Sequence, residues 1–382
     1  MRKTVYLDNS ATTRVLPEVA AVMRGALEDT FGNPSSLHRL GLEAERLQQA
    51  ARRVLAATCG AREEEIFFTS GGTEANNLAL KGAARRRVRR GRHLVTTKVE
   101  HASVLQACRA LAAEGFTVTF LEVDSRGLVD PEQVAAALRP DTILISVMHV
   151  NNEVGAIQPV AEIGRLLKAK NSELLFHVDA VQSLGKLPVC PVGWRADLVS
   201  FSAHKIHGPK GVGALYCREG LELEPLFHGG GQEKAVRPGT ENVPGIAGLA
   251  AAVRLAAEHR EENIRTITAL RQRLLNGLLT ELPGAVCNGS SDAAPYIASV
   301  TFPAVKGEVL LHALEERGIY VSTGSACHSR RPEPSHVLLA MGMPEKAIAS
   351  TLRFSLSAEN TVEEIDYTLE QLVEVLAYLR RF

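Results

Sequence analysis

At 382 residues the chain exceeds what one hydrophobic core usually sustains, which predicts two lobes. It is 45% hydrophobic but only 5% aromatic, a balance suited to a large aliphatic α/β core. Its 43 basic and 43 acidic residues cancel, so no global field points to nucleic acid or to a membrane surface.

The opening MRKTVYLDNSATT has no apolar signal core, and no run reaches about 18 apolar residues. Cys59, Cys108, Cys190, Cys217, Cys287 and Cys327 show no CxxC or Cys/His spacing of a zinc site. Scattered thiols of this kind suit a reducing compartment, so a soluble cytoplasmic protein without membrane contact or bound metal is expected.

In chain order, Leu16-Pro17 opens a helix, and Ser36 to about Thr58 carries apolar spacing near 3.6. Seven strand candidates follow: Ile66–Phe68, Leu94–Thr96, Val118–Leu121, Ile143–Val147, Leu174–Val178, Leu198–Phe201 and Gly213–Tyr216. Helical patterns over 73–87, 102–113, 131–138 and 160–169 lie between them. This alternation predicts a mainly parallel sheet covered on both faces, with ligands beyond the carboxyl ends of its strands. After the Gly-rich residues 228–245 the pattern changes. A long helix over about 245–282, a strand over 297–302, a helix over 307–317, a strand over 351–356 and a helix over 361–381 suggest a compact α+β lobe. The expected division is a large α/β lobe over 13–258, and a smaller one from 1–12 with 259–382.

Several strand ends carry side chains capable of chemistry. Ser70-Gly71-Gly72-Thr73 links a strand to a helix start, where backbone N–H groups and a hydroxyl can bind phosphate; an ordinary helix cap reads the same way. Arg85-Arg86-Arg87-Val88-Arg89-Arg90 with Arg92 is either a solvated helix end or a docking patch. His101 could stack on a planar cofactor and shuttle protons, or simply cap a helix. Asn152, in MHVNNEVG, could reach a substrate carboxylate or the cofactor. Asp179 ends an apolar strand with Gln182 three residues on. A carboxylate there could keep a pyridinium nitrogen protonated and Gln182 could bond a ring hydroxyl, or Asp179 could cap a following helix. Ser202, His204 and Lys205 follow the Leu198–Phe201 run, and a lysine so flanked suits a Schiff base with an aldehyde cofactor that bears a phosphate. Cys327 sits in a Gly/Ser stretch with His328, Arg330, Arg331 and His336 near it in sequence. Positive neighbours favour the thiolate over the ordinary thiol, whose pKa is about 8.5. No strand is followed by GxGxxG, which argues against a nicotinamide oxidoreductase.

Together the segments YLDNSATT, FGNPSS, SGGTEANN, VEHASV, MHVNNEVG, HVDAVQ, SFSAHKIHGPKG, GGGQE, RPGTENV, GSACHS, EPSHVL and LRFSLS resemble the NifS/IscS-like cysteine desulfurases of the class V aminotransferase family. The likeness spans nearly the whole chain. It implies a fold-type I transferase dependent on pyridoxal 5′-phosphate (PLP), with a large, mainly parallel seven-stranded domain and a smaller α+β C-terminal domain. By position, Lys205 would bond PLP, and Gly72, Thr73, Ser202 and His204 would hold its phosphate, with Thr240 reaching in from the second subunit of a homodimer. His101 would stack on the ring, Asp179 would face its nitrogen and Gln182 its phenolic oxygen. Asn152 would touch cofactor or substrate, and Arg353 would clamp the substrate carboxylate.

The implied activity converts L-cysteine to L-alanine. Lys205 takes the α-proton, and the Cys327 thiolate attacks the substrate sulfur and leaves as a persulfide. An acceptor protein, an iron–sulfur scaffold or a tRNA-thiolation enzyme, would then receive the sulfur. ACHS followed by Arg330-Arg331, with GGGQE and RPGTEN, is similar to selenocysteine lyases as well, which leaves release of selenium from L-selenocysteine as the alternative activity.

Overall fold

The computed structural model describes residues 4–323 and 334–379. A short strand, β1 (Val5–Tyr6), precedes the seven strands of the main sheet. These are β2 (Ile66–Thr69), β3 (His93–Thr97), β4 (Thr117–Leu121), β5 (Thr142–Met148), β6 (Leu175–Asp179), β7 (Leu198–Ser202) and β8 (Gly213–Cys217). Across the sheet they run β2-β8-β7-β6-β5-β3-β4. Strands β4, β3, β5, β6 and β7 are parallel, and β8 is antiparallel to both β7 and β2. All seven sequence-predicted strands are present, in the mainly parallel arrangement expected.

Every residue of β2, β5, β6 and β7 is buried, as covering helices on both faces require. One face packs Phe68, Phe176, Phe201 and Tyr216 against the helices Arg39–Cys59 and Val243–Glu258. The other packs Leu94, Leu144, Leu198 and Leu215 against the segment Leu78–Ala84 and the helix Ala102–Ala113.

A second core lies around β10 (Ile297–Thr301), which is antiparallel to both β9 (Val286–Asn288) and β12 (Thr351–Ser355). The strand β11 (Ile319–Tyr320) pairs in parallel with β1. Helices Arg260–Glu281, Gly307–Glu315 and Val362–Leu379 supply Leu274, Leu310 and Leu372 to this core, and Val5 and Leu7 join it.

Two helical expectations are corrected. The span read as one helix over 245–282 is two, Val243–Glu258 and Arg260–Glu281, which meet at His259 (φ −106°, ψ 9°). The span 73–87 contains a π-turn, Leu78–Gly82, between Gly72–Asn77 and Ala83–Arg86. The wider turn puts Leu78, Ala79 and Leu80 all inside.

The basic run is a solvated, paired surface. Arg85 bonds Glu114 at 2.8 Å, Arg86 pairs with Glu222, Arg90 with Glu173, and Arg92 lies over the Phe116 ring. Among the described residues no helix is long and apolar enough to cross a membrane.

One close approach sets the mouth of the main sheet. A Cβ on Gly213 of β8 would lie 2.5 Å from Phe201 O and 2.7 Å from Gly71 Cα. Both obstacles are backbone and cannot swing away. Gly213→Ala should therefore lower the thermal midpoint by roughly 2–10 °C, measured by calorimetry. An unchanged midpoint would mean that this turn is looser than its packing implies.

Candidate active site

The carboxyl ends of the central strands open onto a cavity of about 490 Å³. Ten residues singled out in the sequence line it: Gly72, Thr73, His101, Asn152, Asp179, Gln182, Ser202, His204, Lys205 and Arg353. The volume suits a small cofactor with a small substrate. Thr240 is not among the lining residues and is exposed in the single chain, although its segment is tied nearby through Arg237, whose Nε bonds Glu74 at 2.8 Å. Cys327 lies outside the described residues.

Each side chain is placed by a strand end or the turn after it. Asp179 closes β6. Its Oδ2 accepts from Asn76 Nδ2 at 2.7 Å and its Oδ1 from Val181 N at 3.0 Å. It thus caps a turn rather than the helix that the capping alternative required, while facing the cavity. Asn76 was missed as a functional candidate. Its signal is spacing, since it lies three residues after Thr73 on one helical face.

His101 is both helix cap and cavity wall. Its Nδ1 accepts from Ser103 N at 3.1 Å, so the neutral ring carries its proton on Nε2. Burial holds its pKa below the usual histidine value, with Lys205 adding to the effect and Asp179 opposing it. His204 is pushed down to about 4 by burial and by Lys205, Lys210 and Lys186. Both imidazoles are accordingly neutral at pH 7.

Lys205 ends a single 3-10 turn, Ala203–Lys205, directly after β7. Its amine donates to Ser10 O and, at 2.7 Å, to Ala11 O. Across the cavity, Arg353 of β12 is 3% exposed. Its Nη2 bonds Asp8 Oδ1 at 2.7 Å and its Nη1 bonds Asn152 O at 3.0 Å.

Five buried polar atoms of this cavity have no hydrogen-bond partner among the described residues: Ser10 Oγ, Asn76 Oδ1, Gln182 Oε1, Ser202 Oγ and Arg353 Nε. Each such orphan costs about 1–3 kcal/mol. Five of them around a lysine, an aspartate and a glycine turn form a donor and acceptor set that a phosphate- and hydroxyl-bearing pyridine can complete. The turn is shaped for close approach: Gly71 has φ +153°, and a Cβ on Gly72 would lie 2.7 Å from Val181 Cγ2.

Two carboxyl groups brace the cavity wall from behind. Burial lifts Glu100 to about 8, even though Thr97 Oγ1 and Met148 N donate to its Oε1. Burial also lifts Glu153 to about 7, and Ser335 Oγ donates to its Oε2.

Because the folded pKa of Glu100 lies above the unfolded value near 4.3, its protonated form contributes stability that is present below pH 4 and lost as the pH rises through 8. Glu100→Gln keeps the acceptor for Thr97 and Met148 and removes the titration. It should gain stability relative to the parent between pH 5 and pH 8, on the order of 1–4 kcal/mol, in urea unfolding at the two pH values. A difference independent of pH would show that Glu100 ionises normally.

The same arrangement occurs in known proteins. A family model described as aminotransferase class-V matches residues 5–368. The cysteine desulfurase IscS of Methanosarcina thermophila is 47% identical over 379 residues, covering 99% of this chain and 93% of that protein. The cysteine desulfurase IscS of Dictyoglomus turgidum is 45% identical, covering 100% and 96%. A solved NifS-like protein superposes with a TM-score of 0.93 at 43% identity, covering 99% of this chain and all of its own. The chain belongs to the class V aminotransferase family, among its NifS/IscS-like cysteine desulfurases.

Proposed function

We propose that this cavity binds PLP and carries out the desulfuration of L-cysteine, giving L-alanine and a persulfide on Cys327. The observation that carries the reading is the set of five orphaned buried polar atoms grouped with Lys205 and Asp179 in one cavity. PLP when bound supplies an electron sink that stabilises negative charge at the substrate α-carbon.

The chain's own groups do the rest. Lys205 would bond the cofactor aldehyde. Gly72, Thr73, Ser202 and His204 would hold its phosphate, and Thr240 of the second subunit of a homodimer would complete that cradle. Asp179, fixed by Asn76 and Val181 N, keeps the ring nitrogen protonated. Gln182 would meet the phenolic oxygen and neutral His101 would cover the ring face. Arg353, with Nη1 and Nη2 pinned by Asn152 O and Asp8, has Nε left for the substrate carboxylate, beside the Asn152 side chain.

The Lys205 amine takes the substrate α-proton. The Cys327 thiolate attacks the substrate sulfur, an S–S bond forms, and the C–S bond breaks with its electron pair left on carbon. Protonation of that carbon, with the α-proton returned from the Lys205 ammonium, gives alanine. The persulfide then passes to an acceptor protein of the iron–sulfur scaffold or tRNA-thiolation type. Residues 13–258 form the cofactor lobe in this reading, and 1–12 with 259–382 form the lobe that carries Cys327.

Cys327→Ala tests the sulfur chemistry apart from cofactor binding. It should bind PLP normally yet lose alanine formation by on the order of 10²-fold or more. Mass spectrometry of the parent after brief exposure to cysteine should place the added sulfur on the Cys327 peptide. Full turnover by the variant, or sulfur mainly on Cys59, Cys108, Cys190, Cys217 or Cys287, identifies a different nucleophile. Sedimentation of the same preparations should give a dimer; a PLP-saturated monomer contradicts the role given to Thr240.

A further inference from the structure

Behind Lys205, on the side away from the active-site cavity, lies a second cavity of about 240 Å³. Among the described residues Lys205 is the one that lines both. This second cavity bridges the two cores where the long helical segment breaks at His259. Leu255 and Ala256 of helix Val243–Glu258 form one wall, and Ile264 and Ile267 of helix Arg260–Glu281 form another. The chain after β12, from Leu356 to Glu359, completes it.

Its chemistry is that of an apolar pocket with cations at its wall. Lys186 Nζ lies 4.5 Å from the centre of the Tyr296 ring, and the Tyr296 hydroxyl is in turn fixed to Gln182 O at 2.9 Å. Neither Lys186 nor Arg260 forms an ion pair with a carboxylate among the described residues. Burial, with Lys205 second, pulls the Lys186 pKa down to about 7, the response of an amine that has lost water without gaining an anion. The acids of the cavity, Glu18 and Glu359, are both exposed. His207 is engaged through Nδ1 with Arg14 O at 2.9 Å. An anion with an apolar body matches this wall: the charge would replace the missing partner of Lys186, and the body would cover aliphatic surface.

We propose that this second cavity is a binding site for a small organic monocarboxylate, its carboxylate on Lys186 and its apolar body against Ile206, Leu255 and Ile264. The ligand touches both cores and the residue next to Lys205, so its occupancy is felt at the hinge between the long helices. The proposal stands on this cavity alone and is independent of the reaction assigned to the other.

Benzoate is the probe. In calorimetry with the PLP-loaded protein it should bind one to one with a Kd of about 1 mM or tighter. Acetate lacks the apolar body and benzamide lacks the charge, so both should bind at least roughly ten-fold more weakly. Lys186→Met should weaken benzoate by a similar factor, and Leu255→Trp, which fills the cavity without altering its charge, should abolish binding. No heat with benzoate at several millimolar overturns the proposal. So does parental affinity in both variants, since the anion then sits elsewhere, beside Arg353 for instance.

Discussion

The hydrogen bonds from the Lys205 amine to the carbonyls of Ser10 and Ala11 hold the site together. Residues 8–13 work as a clasp between the two cores. Ser10 N bonds Ser355 Oγ at 2.8 Å and Asn9 N bonds Ser355 O at 3.1 Å, which fixes the segment to β12. Thr13 N bonds His204 O at 2.9 Å, and Gln182 Nε2 bonds Ser10 O at 3.0 Å, which fixes it to the turns after β7 and β6. Asp8 adds the ion pair to Arg353. Lys205, Arg353 and the Gln182 side chain are thus positioned by one short stretch of chain.

Protonation states in the site follow mainly from burial. His101 and His204 are kept neutral by loss of water and by neighbouring lysines, so neither places a second cation beside the Lys205 amine. Asp179 accepts hydrogen bonds from the Asn76 side chain and from Val181 N. Buried Glu100 and Glu153 have fewer compensating donors than their burial demands, and both are lifted. Each spans distant elements. Glu100 joins the turn after β3 to the end of β5, and Glu153 joins the turn after β5 to Ser335. These braces are where pH acts on the framework, at a distance from the reacting atoms.

The sheet was legible because doubly covered strands must be apolar along their whole length, and the runs at Ile143–Val147 and Leu198–Phe201 are. Site residues were legible because parallel strands deliver functional groups where they end, as at Asp179 and Ser202. The break at His259 was not, since no glycine or proline marks it and apolar periodicity reads straight through. The π-turn at Leu78–Gly82 was hidden likewise. The carbonyls that hold Lys205 come from residues 194 and 195 positions away and leave no side-chain trace. Asn76 stood within a quoted motif, but its bond to Asp179 depends on how the helix packs over β6. Thr240 lies exposed on the single chain and outside the cavity lining, so its proposed role is not one that this chain's own contacts can display.

The central claim is that Lys205 is the residue to which PLP bonds. Borohydride reduction of the PLP-loaded protein, followed by digestion and peptide mass spectrometry, tests it directly. The reduced cofactor should be found on the peptide containing Lys205. Label mainly on Lys210, which lines the same cavity, or on Lys186, which lies behind it, would contradict the account.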